Sequence, residues 1–189
     1  LTLGRLYTGT SGFLQSPGLQ KRLDEVNSSK AKVSGPFGSK LDEYKAYQNL
    51  GNAYFEMASL CFAAAYVMAT DACSLANACS AADVGDALAD DPAPFLAGLR
   101  NYLKIVKTHT EACRLAIHAY KKLLTSNLAG TRGVKQQQFI IRRVMDLYRV
   151  LSIDPGNTSA LTQYRTFIEE LRKETDGRNL HLNRLLVQE

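Results

Sequence analysis

One stretch decides the fold class of this chain, and it reads AYFEMASLCFAAAYVMAT from Ala53 to Thr70. Alanine is the strongest helix former, and the stretch contains neither Gly nor Pro, so it predicts an α-helix. Apolar residues occupy nearly every face of that helix, a pattern typical of a helix surrounded by other helices. We therefore expect a buried central helix in an all-α fold.

The sequence on both sides of this stretch carries start and stop signals for further helices. Ser16-Pro17 and Asp91-Pro92 each place a capping side chain before a proline that suits the first helical turn. The segment 34–39 contains Gly and Pro and interrupts the helical pattern. We expect helices over about 16–33, 40–85, 91–127, 133–154, 158–174 and 180–187, which makes an antiparallel helical bundle of five to six helices.

The first residues differ from the rest in composition. Gly4, Gly9 and Gly12 lie there among Ser and Thr residues, and such segments favour irregular structure at a chain end. We predict an extended N-terminal arm over residues 1–15 and a single all-helical domain over residues 16–189. Because the chain begins at Leu1 instead of Met, we expect it to be a fragment of a longer protein.

Two later helices carry apolar stripes that we expect to face the core. The first stripe includes Phe95, Leu99, Leu103 and Val106, and Lys residues occupy much of the remaining surface. The second consists of Phe139, Ile140, Val144, Leu147, Tyr148 and Leu151. Both patterns predict helices with one buried side and one solvated side.

The charge balance is mildly basic but lacks the clustering typical of a nucleic-acid-binding protein. The formal net charge is +5, while Lys, Arg, Asp and Glu are interspersed along most of the chain. The longest uncharged apolar run, from Met57 to Thr70, is too short to span a bilayer. We therefore predict no membrane partner.

The cysteines lie within apolar helical pattern and lack the spacing of a zinc site. They are Cys61, Cys73, Cys79 and Cys113. Secreted disulfide-rich domains are smaller and denser in Cys. Reduced core thiols and a cytoplasmic or nuclear location are therefore expected.

No group of residues indicates catalysis or metal binding. His109 and His118 are nine residues apart, which is not the one-turn spacing that a metal site on a helix needs, and the remaining histidine is His181. The acidic segment with Asp83, Asp86, Asp90 and Asp91 lacks the alternating ligands of a calcium loop. We expect a protein that is not an enzyme and that holds neither metal nor cofactor.

Two short windows resemble a known repeat family. The run from Tyr47 to Tyr54, which reads YQNLGNAY, and the later Ala63 resemble the first half of a tetratricopeptide repeat, and Asp154-Pro155-Gly156-Asn157 resembles a junction between two such repeats. The resemblance implies paired helices that approach closely at small residues and a groove that binds a peptide or a partner helix. A divergent helical bundle, similar to the microtubule-interacting-and-trafficking type, is the alternative.

The cationic side chains of the helix before Pro155 are the other candidate site. Arg142 and Arg149 are seven residues apart and share one face, and Lys135 and Arg143 lie nearby together with Arg132. We predict that these residues, together with the groove beside Tyr47 and Tyr54, bind a protein partner, namely an acidic peptide or helix. The alternatives are a solvated basic face and a nucleic-acid-associated helical domain.

Self-association is a further prediction, because two long amphipathic stripes can close a homodimer as readily as a monomeric core. Tyrosines are common anchors at interface centres. The candidates are Tyr44, Tyr47, Tyr102 and Tyr120, for which a place in the core or at its boundary is the alternative.

Overall fold

The computed structural model describes residues 2–78, 91–124, 128, 131, 133–153 and 158–175. Within these residues the chain forms α1 (Thr2–Leu14), α2 (Pro17–Val33), α3 (Lys40–Ala78), α4 (Ala93–Leu123), α5 (Val134–Ile153) and α6 (Thr158–Thr175). No strand occurs among the described residues. The predicted all-α fold is confirmed.

The predicted helix starts are confirmed where capping chemistry defines them. The Ser16 hydroxyl accepts a hydrogen bond from the backbone N–H of Leu19 at 3.2 Å, and α2 begins at the next residue, Pro17. The Asp91 carboxylate accepts from the N–H of Ala93 at 3.1 Å and caps α4. The predicted ends near residues 85, 127 and 154, and the terminal helix over 180–187, lie outside the described residues.

The predicted extended arm is wrong, because residues 2–14 form a helix. Thr10 is fully buried in this helix, and its hydroxyl donates to the carbonyl of Leu6 at 2.7 Å. The backbone of Leu6 and Tyr7 also lies against Gly98 of α4, where a Cβ atom would come within 2.9 Å of the Tyr7 nitrogen. Tertiary packing of this kind outweighs the weak helix propensity of the glycines in α1.

The described residues form two compact units, each with its own interior. The first unit comprises Leu1–Gly35 and Asn52–Ala112, and the second comprises Pro36–Gly51 and Cys113–Glu189. Residues of α3 and α4 therefore contribute to both units. The single domain over 16–189 stays a prediction.

In the first unit, a row of small side chains on α3 is buried. Ala58, Cys61 and Ala65 recur at helical spacing and are at most 9% exposed. On the neighbouring α4, His109 donates from Nδ1 to the carbonyl oxygen of Ala58 at 2.9 Å. Small residues bring the two helices close enough for this contact between a side chain and a helix backbone.

Three large apolar residues of α3 face outward, which corrects the expectation of a helix buried on nearly all sides. Phe62, Tyr66 and Val67 are 52%, 64% and 56% exposed. The segment Lys40–Ala72 is long and apolar enough to cross a membrane by length and composition, with a third of its most apolar window buried (33%). Core helices of water-soluble domains meet the same criterion, so composition alone assigns no membrane, and the absence of a membrane partner stays a prediction.

Burial raises the pKa of the Cys61 thiol from 9.0 to about 11, and the side chain is 0% exposed. We predict that iodoacetamide modifies Cys61 about a hundredfold more slowly at pH 8 than a thiol of ordinary pKa, because the thiolate is the nucleophile. Mass mapping of the modified peptides checks this, with urea-unfolded protein as the control. Fast modification of Cys61 in the folded protein would contradict its burial.

The raised pKa of Cys61 also gives a direction to the pH dependence of stability. The folded state holds the thiol proton more tightly than the unfolded state does. The stabilisation is therefore fully present below about pH 9 and is lost as the pH rises through about 11.

In the second unit, α5 and α6 pack through aromatic rings. The ring of Tyr148 lies 6.0 Å from that of Tyr164 and 5.8 Å from that of Phe167, measured between centroids. Burial, followed by the negative charge of Glu170, raises the pKa of the Tyr148 hydroxyl. Lys121 of α4 places its ammonium 5.5 Å from the Phe167 ring centroid and 3.9 Å from the Glu170 carboxylate. These contacts join α4, α5 and α6.

Candidate partner-binding surface

The cationic residues predicted on the helix before Pro155 do share one side of α5. The opposite side is buried and consists of Ile140, Ile141, Val144, Met145, Leu147, Tyr148 and Leu151. Burial of that side turns the intervening positions outward, so that Lys135, Arg142 and Arg149 are exposed and Arg143 is half-buried. We call Lys135, Phe139, Arg142, Arg143 and Arg149 the α5 basic face.

The four cations of this face differ in the contacts that they already make within the protein. No described residue forms an ion pair with Lys135 or Arg142. The guanidinium of Arg143 lies 5.1 Å from the centroid of the Phe139 ring, and that of Arg149 lies 3.3 Å from the carboxylate of Asp146. Lys135 and Arg142 are therefore the side chains best placed to meet an incoming anion.

Phe139 is an unexpected member of this surface. The sequence pattern placed it in the core stripe, but its side chain is 40% exposed. It lies one turn from Lys135 and one turn from Arg143, on the outward side of α5. An apolar ring thus stands among cations, which corrects the expectation that the aromatic residues of this helix are all internal.

The second predicted contact region, beside Tyr47 and Tyr54, is only partly available. Tyr54 is 3% exposed, and the ammonium of Lys30 lies 5.6 Å from its ring centroid. It is a core side chain, which corrects its assignment to an open groove. Tyr47 is half-buried, with its ring 6.3 Å from that of Phe37, and a partner contact there stays a prediction.

The tyrosines proposed as dimer anchors separate in the same way. Tyr44 and Tyr120 are 1% and 0% exposed and belong to the core, while Tyr102 is half-buried. The two core tyrosines are therefore unavailable to a second chain, and the homodimer stays a prediction.

Several residues considered for chemistry lie outside the described part of the chain. They are Arg132, Asp83, Asp86, Asp90 and His181. Of the others, Asp91 caps α4, His109 bonds to the backbone of α3 and His118 is exposed. Among the described residues, no group of three or more His, Cys, Asp or Glu side chains is arranged to hold a metal ion.

Sequence reasoning missed a second exposed surface, on α4. Leu96, Leu99 and Leu103 are 45%, 38% and 57% exposed, although two of them were expected to face the core. The row that is buried instead contains Gly98, Ile105 and Ala112. The glycine and alanine in this row are the signal that distinguishes it from the leucine row, since both rows have a seven-residue spacing.

The chain matches no protein-family model, no curated protein and no solved structure. The resemblances to tetratricopeptide repeats and to microtubule-interacting-and-trafficking bundles therefore stay predictions.

Proposed function

We propose that this protein is a non-enzymatic protein-interaction module and that its α5 basic face binds an acidic segment of a partner protein. The observation that carries the proposal is the exposed Phe139 ring among Lys135, Arg142 and Arg143. Cations draw an acidic segment to this face, and the ring offers an apolar contact that a purely solvated basic face lacks.

The balance of charge on this face supports an acidic partner. Four cations stand on it, and Asp146, the carboxylate among them, pairs with Arg149. An incoming carboxylate therefore meets a surplus of positive charge around Arg142. Arginine also binds carboxylates through two parallel hydrogen bonds, which adds geometric selectivity to the attraction.

The test is a charge reversal at the two neighbouring arginines. We expect Arg142→Glu/Arg143→Glu to weaken binding of a fluorescent Glu-rich peptide by on the order of tenfold or more at low salt. The variant replaces the attraction between the two arginines and the peptide by repulsion, and it removes the contact of Arg143 with the Phe139 ring. Affinity capture with the unchanged protein and with this variant identifies partners whose binding depends on the α5 basic face.

The matched control is Lys21→Glu/Lys32→Glu, which makes the same change of net charge at exposed positions of α2. If the control weakens binding of the peptide as much as the arginine reversal does, the binding is explained by attraction to the overall positive charge and not by the α5 basic face.

A nucleic-acid-associated function is the second candidate, and the exposure of Phe139 favours it, because an exposed ring beside arginines can stack on a base. Gel shifts with random RNA and DNA distinguish the two functions. Nucleic-acid binding that is independent of sequence, falls steeply with salt and is lost in Arg142→Glu/Arg143→Glu would identify nucleic acid, instead of an acidic peptide, as the ligand of the α5 basic face. Absence of any shift at low salt would remove this candidate.

A further inference from the structure

The exposed leucines of α4 have the spacing of a coiled-coil seam. Leu96, Leu99, Leu103 and Val106 alternate at intervals of three and four residues, and the three leucines are 38% to 57% exposed. This is the arrangement of a and d positions in a heptad, which form a narrow stripe suited to one partner helix. We call these four residues the α4 seam.

The α4 seam is open because the helix uses another row for its own unit. Gly98 lies against the backbone of Leu6 and Tyr7 in α1, and Ile105 and Ala112 are 0% exposed. In the heptad numbering of the seam, Gly98, Ile105 and Ala112 are all c positions. The three leucines therefore remain on the surface of the unit, and Val106 is half-buried.

Cations line one edge of the α4 seam. Arg100 and Lys107 occupy the e positions, Lys104 stands one position beyond Leu103, and all three side chains are exposed. In a coiled coil, e and g residues pair with charges of the partner helix and select it. On the other edge, His109 at a g position brings its ring within 5.5 Å of the exposed Phe62 of α3.

These charges decide between three occupants. In an antiparallel pair of two copies, the e positions would bring Arg100 and Lys107 of one chain against those of the other, and in a parallel pair they would meet Tyr102 and His109 at the g positions. Neither arrangement supplies a carboxylate to these cations. On α4 itself the leucines form a stripe only two positions wide, which matches the contact line of a single partner helix, whereas a lipid surface favours a broad apolar face. An amphipathic helix with carboxylates fits both the stripe and the cations.

We propose that the α4 seam binds an amphipathic helix of a partner protein that carries Leu-type residues at a and d and Glu or Asp opposite Arg100 and Lys107. This surface is separate from the α5 basic face and does not rest on the function proposed for it. The protein would then hold two acidic partner segments of different kinds, an acidic peptide on α5 and a leucine-bearing helix on α4.

The probe is a synthetic helical peptide of leucine heptads with Glu at its e and g positions, and a matched peptide with Lys in place of Glu. We expect the protein to bind the Glu peptide, and Leu99→Ala/Leu103→Ala to weaken that binding by about tenfold or more. We expect Arg100→Glu/Lys107→Glu to transfer the preference to the Lys peptide.

Two control variants locate the effect. Leu23→Ala removes a leucine of α2 that is 37% exposed in the same unit and is expected to leave binding unchanged. The Glu peptide is also measured with Arg142→Glu/Arg143→Glu, which removes any binding through the α5 basic face. The binding that remains is expected to depend on the leucines of the α4 seam, so that failure of this proposal and failure of the α5 proposal are distinguishable. Circular dichroism of each variant verifies that it is folded.

The same variants define the outcomes that would overturn the proposal. These are no binding of the Glu peptide at low salt, and binding that the leucine and charge variants of the seam leave unchanged. Leucine-dependent binding to phosphatidylserine vesicles would assign the seam to a lipid surface. A concentration-dependent dimer that Leu99→Ala/Leu103→Ala dissociates would assign it to a second copy.

Discussion

Gly51→Val is expected to lower the free energy of unfolding by about 3 kcal/mol, because it overpacks the interior of the second unit. A Cβ atom at Gly51 would lie 2.6 Å from Cε1 and 2.7 Å from Cδ1 of Tyr120. The Tyr120 side chain is 0% exposed, so its ring is enclosed by other groups and has no open space to enter. Steric overlap therefore dominates the result.

Local helix propensity alone predicts the opposite result for Gly51→Val, namely a rise in the free energy of unfolding. Glycine costs a helix interior about 1 kcal/mol relative to alanine, and valine is also the better helix former of the two. In α1 the same change meets open space, since no atom lies within 4 Å of a Cβ at Gly9. We use Gly9→Val as the control and expect it to leave stability unchanged or to raise it by up to about 0.5 kcal/mol.

Urea unfolding followed by circular dichroism measures both variants. The double variant Gly51→Val/Tyr120→Leu separates overlap with the ring from any other effect at Gly51, because removal of the ring is expected to recover part of the loss. Equal stability of Gly51→Val and the unchanged protein would contradict the close approach between α3 and α4 at this position.

Features defined by nearest neighbours in the sequence were predictable. Ser16 and Asp91 act as caps because a short polar side chain before a helix reaches the free N–H groups of its first turn. The shared side of Arg142 and Arg149 on α5 was predictable for a similar reason, since seven residues make almost two turns.

The choice of the buried row was not predictable where a helix is apolar on more than one side. In α3 the small row with Ala58 and Cys61 is inside and the large Phe62 and Tyr66 are outside. In α4 the row of Gly98 is inside and Leu103 is outside. Hydrophobicity ranks the larger residues as more buried, whereas close approach of helix backbones requires the smaller ones, and only the neighbouring helix determines which requirement prevails.

The candidate site shows the same limit. The cations of the α5 basic face could be identified from spacing, and the pairing of Arg149 with Asp146 follows from their separation of three residues. The exposure of Phe139 and the burial of Tyr54 could not, because each depends on contacts with another helix or on their absence. Sequence patterns therefore locate charged surfaces more reliably than aromatic ones.

The second large effect is expected for a substitution of Gly98, because α1 packs against α4 at this residue, where there is no side chain. A Cβ atom at Gly98 would come 2.9 Å from the backbone nitrogen of Tyr7 and 3.2 Å from the backbone carbonyl carbon of Leu6. Backbone atoms cannot rotate away as a flexible side chain can. We expect Gly98→Val to displace α1 from α4.

Displacement of α1 has a specific consequence for its own structure. The helix has 13 residues, and isolated helices of that length are marginal in water, so α1 is expected to unfold once it is detached. A loss of about 3 kcal/mol in local stability corresponds to faster exchange of the α1 amides by about a hundredfold. The burial of Thr10, whose hydroxyl bonds to Leu6, would be lost at the same time.

Hydrogen exchange read by mass spectrometry tests this, because it reports α1 separately from α2. The control is Gly12→Val, which places the same side chain in α1 itself, at a position with no atom within 4 Å of the added Cβ. We expect that variant to leave the exchange of α1 nearly unchanged. If the α1 amides stay protected in Gly98→Val, the contact with α4 does not hold this helix, and the packing of Thr10 must be sufficient to do so.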